Sequence, residues 1–269
     1  MRDFTLKTYR TLLESFQRAG YQFQTFEEFM VHPAKGKVIV MRHDVDELAR
    51  NALKMAQVEH GLGIQATYFF RVVKQSNVPE VIREIVKMGH EVGYHYEDLS
   101  TANGDITKAW ESFETNLAYF RQYYPVRSVC MHGSSTSKYD NRLLWQNHSL
   151  EDYGLVGEPY LSIDFDSVYY LTDTGYAWDG GRFAVRDIVV NHFGLSFHHS
   201  QQIIEAVANR TFPETALILA HTLWSDNGFQ WFFLHVREFS RNRIKMAAKK
   251  HPVLAKCYEK LVAWYWKKM

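Results

Sequence analysis

The chain has 269 residues, 46% of them hydrophobic, and a formal net charge of +1. This length allows one large domain or two small ones with a substantial core, and the near-zero charge excludes a global field that would recruit nucleic acid. Cys130 and Cys257 form no CxxC or zinc-knuckle spacing, so a disulfide framework is not predicted.

The N-terminal region predicts an amphipathic helix over residues 4–19. This segment contains an acidic residue and lacks the apolar core of a signal peptide. No apolar run along the chain approaches the roughly 18 residues that a membrane span needs. We therefore expect a soluble, cytoplasmic protein.

From residue 37 onward, short apolar runs alternate with helical patterns. Strands are predicted at 37–41, 64–73, 90–96, 127–133, 168–173 and 215–221, and helices at 47–63, 79–89, 105–124 and 201–209. Strands that alternate with helices predict a parallel sheet, and burial of that sheet on both faces explains the nearly continuous apolar runs. The repeated unit predicts an α/β fold of the (β/α) barrel type, with an open doubly wound sheet as the alternative.

The C-terminal segment, residues 241–269, has a different composition. It contains nine Lys or Arg residues and one acidic residue, Glu259, and it ends in LVAWYWKKM. One interpretation is a solvated helical extension that packs through its aromatic residues. The other is a basic, aromatic surface that contacts an anionic membrane.

Several of the predicted strands end in, or directly before, residues able to bind metal or transfer protons: Asp44 and Asp46, His95 and Glu97, His132, Asp173, and His221. In parallel α/β folds the carboxyl ends of the strands share one rim, where sites are assembled from different strands. Asp44 and Asp46 are two positions apart, so they face the same side of an extended strand. Two carboxylates this close repel each other unless a cation or proton lies between them. The alternative is a pair that forms an Asx-turn and a helix N-cap.

The remaining candidates differ in how easily a structural role explains them. His221 ends the most apolar strand and is hard to explain by packing, and His95 ends a strand beside an acid. His132 precedes Gly133 and is either a ligand or a turn residue, and Asp173 is either a site residue or a turn residue.

Three segments in this order, RHDVD (42–46), GHEVGYHYE (89–97) and ILAH (218–221), resemble the motifs of the polysaccharide deacetylase family, which includes the chitin and peptidoglycan deacetylases. With MHGS, YDNRLLW, YLTDTG and WDG, the chain looks similar to a bacterial branch of that family associated with surface-polysaccharide biosynthesis. The resemblance covers roughly residues 38–225. It implies a distorted (β/α) barrel of seven or eight mostly parallel strands, in one domain over 1–269 with extra C-terminal helices, and a divalent metal, commonly zinc. The implied activity is removal of acetyl groups from N-acetylated sugars.

The resemblance also assigns roles to individual residues. It implies that Asp44 is the catalytic base, that Asp46 and His95 are metal ligands, and that His221 is the acid. The family has a second histidine four positions after His95, where this chain has Leu99, which cannot coordinate a metal. Because a catalytic zinc generally needs three protein ligands, we predict His132 as the third, since imidazole suits zinc and comes from a different strand, with Glu97 as the alternative.

The resulting hypothesis is a metal-dependent amide hydrolysis. Asp44 accepts the proton of the attacking water and His221 protonates the departing amine, while a backbone N–H near Gly133 contributes to oxyanion binding. Asp173 and Glu97 contact the substrate or support the ligands, and Tyr176 or Trp178 stacks on the sugar. The expected substrate is a nucleotide- or lipid-linked glycan precursor. Two alternatives remain open: an inactive sugar-binding protein of the same fold, and a metal-free glycoside hydrolase with Asp44 and Glu97 as its carboxylate pair.

Overall fold

A computed structural model describes residues 2–133, 137–178, 189–190 and 192–250. Seven strands in this part of the chain form one parallel sheet: β1 (Gln22–Gln24), β2 (Val38–Val45), β3 (Thr67–Phe70), β4 (Glu91–Tyr96), β5 (Val129–Met131), β6 (Tyr169–Thr172) and β7 (Thr215–Leu219). The six strands predicted from the sequence are all present. The additional strand, β1, has only three residues and gives no recognisable sequence pattern.

Helices connect and cover these strands. They are α1 (Leu6–Arg18), α2 (Phe26–Val31), α3 (Ala49–His60), α4 (Pro79–Lys87), α5 (Asp98–Thr101), α6 (Ile106–Phe120), α7 (Pro159–Ser162), α8 (Ser200–Ala208) and α9 (Gly228–Lys250), with short 3-10 segments at Asn141–Asn147 and Glu151–Tyr153. The helices predicted near residues 4–19, 47–63, 79–89, 105–124 and 201–209 therefore all form. At α1, the side chain of Thr5 caps the helix by accepting a hydrogen bond from the backbone N–H of Thr8.

The strand order is β5-β4-β3-β2-β7-β6, and β1 pairs with the first half of β2. Every pairing is parallel. Because β7 returns to lie beside β2, this order is the cyclic chain order of a barrel that is open between β5 and β6. The prediction of a distorted (β/α) barrel with mostly parallel strands is confirmed, and the doubly wound alternative is wrong.

Strand β2 lies in the middle of the sheet and is buried along its whole length. Its side chains alternate between two apolar clusters. Ile39, Met41 and Val45 join the large cluster under the helices. Val38 and Val40 join a smaller cluster inside the barrel, to which β3, β5, β6 and β7 also contribute. The next two positions with the same orientation as Val38 and Val40 are occupied by Arg42 and Asp44, so charged residues complete the upper part of the barrel interior.

The C-terminal region begins with α9, which follows β7 and is described over Gly228–Lys250. The remainder of the predicted basic extension, residues 251–269, lies outside the described residues. In the described part of the chain, none of the helices is both long and apolar enough to cross a membrane.

Candidate metal centre and acid–base site

The carboxylate of Asp44 is fixed inside the barrel by Arg42. The guanidinium of Arg42 donates from Nε to Oδ1 of Asp44 over 2.8 Å and from Nη2 to Oδ2 over 2.7 Å. Both residues are buried. Burial alone would raise the pKa of Asp44, but the guanidinium of Arg42 and the imidazole of His95 lower it. Asp44 is therefore an ionised carboxylate in a fixed orientation.

His95, at the end of β4, presents one defined nitrogen to the rim. Its Nδ1 lies 2.9 Å from the carbonyl oxygen of Cys130 on the neighbouring strand. A carbonyl oxygen can only accept, so Nδ1 carries the proton. Nε2 is directed to the two aspartates, 3.5 Å from Oδ2 of Asp44 and 3.4 Å from Oδ1 of Asp46. A backbone carbonyl that holds one ring nitrogen in this way is the usual support of a metal-binding histidine.

Asp46, His95 and His132 form a compact group of three candidate ligands, whose coordinating atoms all lie within 4.8 Å of one another. Nδ1 of His132 is 3.0 Å from Oδ1 of Asp46 and 3.3 Å from Nε2 of His95. The side chain of His132 is 15% exposed and that of Asp46 is 33% exposed, so the group opens to the surface.

The carboxylate of Asp46 has the properties of an incomplete coordination site. Its Oδ1 is buried and has no hydrogen-bond partner among the described residues, although two imidazole nitrogens lie near it. Burial alone would raise the pKa of Asp46, but the imidazoles of His132 and His95 hold it well below its usual range. One carboxylate and two imidazoles are a donor set that suits Zn²⁺. The three residues therefore fit a divalent metal ion.

The surroundings of His132 and Glu97 distinguish the two alternatives for the third ligand. Glu97 forms an ion pair with Arg71. Oε1 of Glu97 accepts hydrogen bonds from Nε of Arg71 over 2.9 Å and from Nη2 over 2.6 Å, and Oε2 accepts from Nη2 over 2.8 Å. The same arginine reaches the carbonyl oxygen of Asp46 at 3.4 Å. Glu97 thus supports the rim through an ion pair and does not belong to the ligand group. Leu99 is buried in α5 within the large apolar cluster.

A second group of candidate ligands overlaps with the first and consists of Asp44, His95 and Cys130. Its three residues are all buried, and the thiol of Cys130 lies 2.7 Å from Nη2 of Arg42. Because Arg42 already engages both the thiol and the carboxylate, a cation there would face the guanidinium charge. The group that contains His132 is the better metal site for this reason, and it is also the one that substrate can reach.

His221 and Asp173 form an acid–base pair from the ends of β7 and β6. Nδ1 of His221 lies 2.7 Å from Oδ1 of Asp173, which also accepts the backbone N–H of His221 at 2.9 Å. The indole N–H of Trp224 donates to the other carboxylate oxygen over 2.9 Å. Burial alone would lower the pKa of His221, but Asp173, with Asp46 and Asp44 nearby, raises it to about 10. His221 is therefore protonated at neutral pH, with Nε2–H as the second donor of its ring.

A buried cluster behind the strand ends connects β2 to the loop that carries His221. His43 presents Nδ1 to the carbonyl oxygen of Ala220 at 2.8 Å and Nε2 to Glu59 at 2.7 Å. The carboxylate of Glu59 also accepts hydrogen bonds from the hydroxyls of Tyr9 and Tyr68. Since Ala220 directly precedes His221, this cluster fixes the backbone from which the imidazole of His221 projects.

Two aromatic residues predicted to stack on a sugar do not have free rings. Trp178 is fully buried and donates its indole N–H to Ser200. Tyr176 is buried between Phe4, at 4.4 Å between ring centroids, and His235, at 4.2 Å. The prediction of a stacking role for Tyr176 and Trp178 is wrong because the loop after β6 folds back onto the core. Gly133 follows β5 at the rim, next to residues 134–136, which lie outside the described residues.

Five residues position the predicted ones. The sequence indicates a structural or supporting role for Arg42 and His43 without a defined partner, and sequence reasoning missed Arg71, Trp224 and Glu59. Arg42 and His43 carry a recognisable signal, because a charged and a polar residue within an otherwise apolar central strand must find buried partners. Glu59, Arg71 and Trp224 lie within ordinary helical or loop patterns and give no such signal.

Comparison with known proteins gives similarities to solved structures only, since neither a scan against protein-family models nor a search of curated proteins gave a match. A family 4 carbohydrate esterase pseudoenzyme from Bacillus anthracis has 10% sequence identity and a TM-score of 0.42, over 78% of this chain and 61% of that one. This chain therefore spans less than two thirds of its length.

Two further similar structures belong to the same family. A family 4 carbohydrate esterase from Streptomyces lividans, in complex with acetate, has 15% identity and a TM-score of 0.41, over 80% of this chain and 90% of that one. The esterase domain of a multidomain xylanase from the hindgut metagenome of Trinervitermes trinervoides has 13% identity and a TM-score of 0.34, over 77% and 84%.

Proposed function

We propose that this protein is a metal-dependent hydrolase that removes an acetyl group from an N-acetylated sugar of a polysaccharide or glycan precursor. The observation that carries the proposal is the group Asp46, His95 and His132, with its coordinating atoms within 4.8 Å, next to an ionised Asp44 and a protonated His221. The sugar as substrate class is supported by the resemblance of the motifs to those of the polysaccharide deacetylases.

A divalent ion held by Asp46, His95 and His132 would supply Lewis-acid activation of the acetamide carbonyl and of water. The chain's own residues provide the proton transfers. Asp44 is ionised and oriented by Arg42, so it can accept the proton of the attacking water. Because both carboxylate oxygens are fixed by the guanidinium, this base needs no reorientation before the reaction.

His221 supplies the opposite transfer. Asp173 binds Nδ1 of its imidazole and holds the ring in its protonated form, so Nε2–H is available to the departing amine. Asp44 lies near the end of β2 and His221 follows β7, and these two strands are paired in the sheet. The proposed base and acid therefore come from neighbouring strand ends.

The experiment is acetate release from N-acetylated sugars by zinc-loaded protein, with Asp44→Asn as the test variant. We expect Asp44→Asn to keep its zinc, because Asp44 lies outside the preferred ligand group, and to lose acetate release. Asp166→Asn is the matched control, since the side chain of Asp166 is 82% exposed. Unchanged release by folded Asp44→Asn would rule out Asp44 as the base.

The same experiment separates the alternatives. Binding of less than about 0.1 zinc equivalent per chain after loading, with sugar binding retained, would favour an inactive sugar-binding protein. Release of reducing sugar that chelators do not affect would favour a glycoside hydrolase. The structure disfavours that last activity, because a glycosidase pair needs one carboxylic acid as proton donor, whereas Asp44 and Glu97 each form an ion pair with an arginine as carboxylates.

A further inference from the structure

Helix α9 carries a long exposed apolar surface. Seven of its large apolar side chains are exposed, whereas only five others are exposed in the rest of the described chain. At 100° per residue the seven fall within an arc of about 160°, along a helix about 34 Å long. We call this surface the apolar stripe of α9; it consists of Phe229, Phe232, Phe233, Val236, Phe239, Ile244 and Met246.

The opposite face of α9 is anchored on the barrel, which fixes the direction of the stripe. Leu234 is buried in the core, and the amide of Asn242 donates to the carbonyl oxygen of Gly175 over 2.7 Å. Arg237 forms an ion pair with Glu47. Because these contacts hold one face of the helix against the protein, the phenylalanines of the stripe project away from it.

The charges of α9 are almost all positive. Residues 228–250 contain six Lys or Arg residues and a single acid, Glu238, which is paired with Arg237 and Arg241 at 3.1 Å and 2.9 Å. The exposed Arg243 lies within the stripe, with its guanidinium carbon 5.0 Å from the ring centroid of Phe239. Arg237 and Arg241 also pair with Glu47, so the six basic residues of the helix face two acids. The helix therefore combines exposed phenylalanines with a net positive charge.

We propose that the apolar stripe of α9 docks onto an anionic lipid bilayer. Basic helices with exposed phenylalanines lie in the membrane interface, with the apolar side chains among the upper acyl chains and the basic residues at the headgroups. The long stem of an arginine lets its charge remain at the headgroups while its neighbours are buried. A second copy of this chain fits less well, because packing two stripes together would bring like charges together.

Docking in this way would bring the candidate site close to the lipid surface. Glu47, which pairs with Arg237, directly follows Asp46, and Gly175, which accepts from Asn242, lies two residues after Asp173. The helix therefore packs against the same rim that carries the proposed ligands and acid. If the proposed function holds, a glycan anchored in that bilayer would be within reach of the site, whereas the docking itself does not depend on that function.

The test is sedimentation of the full chain with vesicles of equal parts phosphatidylglycerol and phosphatidylcholine, and with vesicles of phosphatidylcholine alone. We expect binding to the anionic vesicles that decreases with salt, and an apparent affinity at least about tenfold lower for Phe232→Ser/Phe239→Ser. The matched control is Ile106→Ser/Leu161→Ser, which changes two exposed apolar residues elsewhere and should bind as the wild type does. Thermal unfolding of each variant verifies that it is folded.

Three results would overturn the proposal: no binding to anionic vesicles, equal binding to both kinds of vesicle, or equal loss in the stripe and control variants. Light scattering tests the competing occupant. A wild-type dimer that the stripe variant abolishes, together with no vesicle binding, would assign the stripe to a second copy of the chain instead.

Discussion

The imidazole of His132 lies 3.0 Å from the carboxylate of Asp46, although the two residues follow different strands on opposite sides of β3 and β4. This contact places a second histidine beside His95, where it can provide the metal ligand that Leu99 cannot provide. If this group binds zinc, His132→Ala should lower the zinc affinity by more than the roughly 10–100-fold that loss of an outer partner costs. Zinc titration against a competing chelator measures the effect.

The control for that variant is His32→Ala, because His32 is exposed at the end of α2. We expect His32→Ala to bind zinc as tightly as the wild type. Equal zinc affinity of His132→Ala and His32→Ala would contradict His132 as a ligand.

The ion pair between Arg71 and Glu97 predicts that a change at Glu97 lowers stability but leaves zinc binding intact. Both side chains are almost completely buried, so Glu97→Gln leaves the charge of Arg71 without its partner. Breaking a buried pair in this way typically costs about 3–5 kcal/mol. We expect a lower free energy of unfolding in urea together with an unchanged zinc stoichiometry. Loss of zinc from folded Glu97→Gln would instead make Glu97 the third ligand.

Arg42 and Asp44 should be energetically coupled. Either Arg42→Met or Asp44→Asn leaves one buried charge unpaired, at a cost of about 3–5 kcal/mol each. The double variant removes both charges, so its loss of unfolding free energy should be clearly smaller than the sum of the two single losses. Denaturant unfolding of the four proteins measures this cycle, and additive losses would show that the two hydrogen bonds contribute no coupling.

The raised pKa of His221 predicts a pH dependence of stability in protein treated with a chelator. Its pKa is about 10 in the folded state against an ordinary value of 6.5. The protonated imidazole therefore makes its full contribution to the stability of the fold at pH values below 6.5, the ordinary pKa of histidine. This contribution is lost as the pH rises from 6.5 to about 10. In Asp173→Asn the carboxylate that raises the pKa is absent, so the loss should occur at lower pH.

Urea unfolding across this pH range, together with an NMR titration of His221, measures the shift. In Asp173→Asn, both the pH at which stability is lost and the pKa of His221 should be lower than in the wild type. The same pH dependence in the wild type and in Asp173→Asn would show that Asp173 does not hold the proton on His221.

Much of the fold could be predicted because it rests on local patterns. The buried run Val38–Met41 and its counterparts in β3 and β7 are apolar since the sheet is covered on both faces, and helices between them require parallel pairing. The three-residue β1 and the short α2 could not be predicted from a hydrophobic period, because β1 depends on pairing with β2 and α2 on the capping box that Thr25 and Glu28 form.

The site could be predicted in part for a similar reason. Asp44, Asp46, His95, His132 and His221 follow strands, and the carboxyl ends of parallel strands meet at one rim. The partners could not be predicted, since they depend on which side chains face each other across the sheet. Glu97 remained an alternative ligand because nothing in the sequence indicates that Arg71 reaches it, and the burial of Trp178 depends on how the loop after β6 folds.

The pairing of β7 with β2 has a consequence for how the site forms during synthesis. Val38–Arg42 lie beside Thr215–Leu219, so an early and a late part of the chain occupy adjacent positions in the sheet. While the ribosome is still making the middle of the chain, the nascent sheet has an unpaired edge along β2, and Asp44 has no His221 beside it. Closing such a long loop is entropically costly and late. A product truncated before residue 215 would therefore combine an exposed sheet edge with half a site, and would be a target for aggregation or quality control rather than a partially active protein.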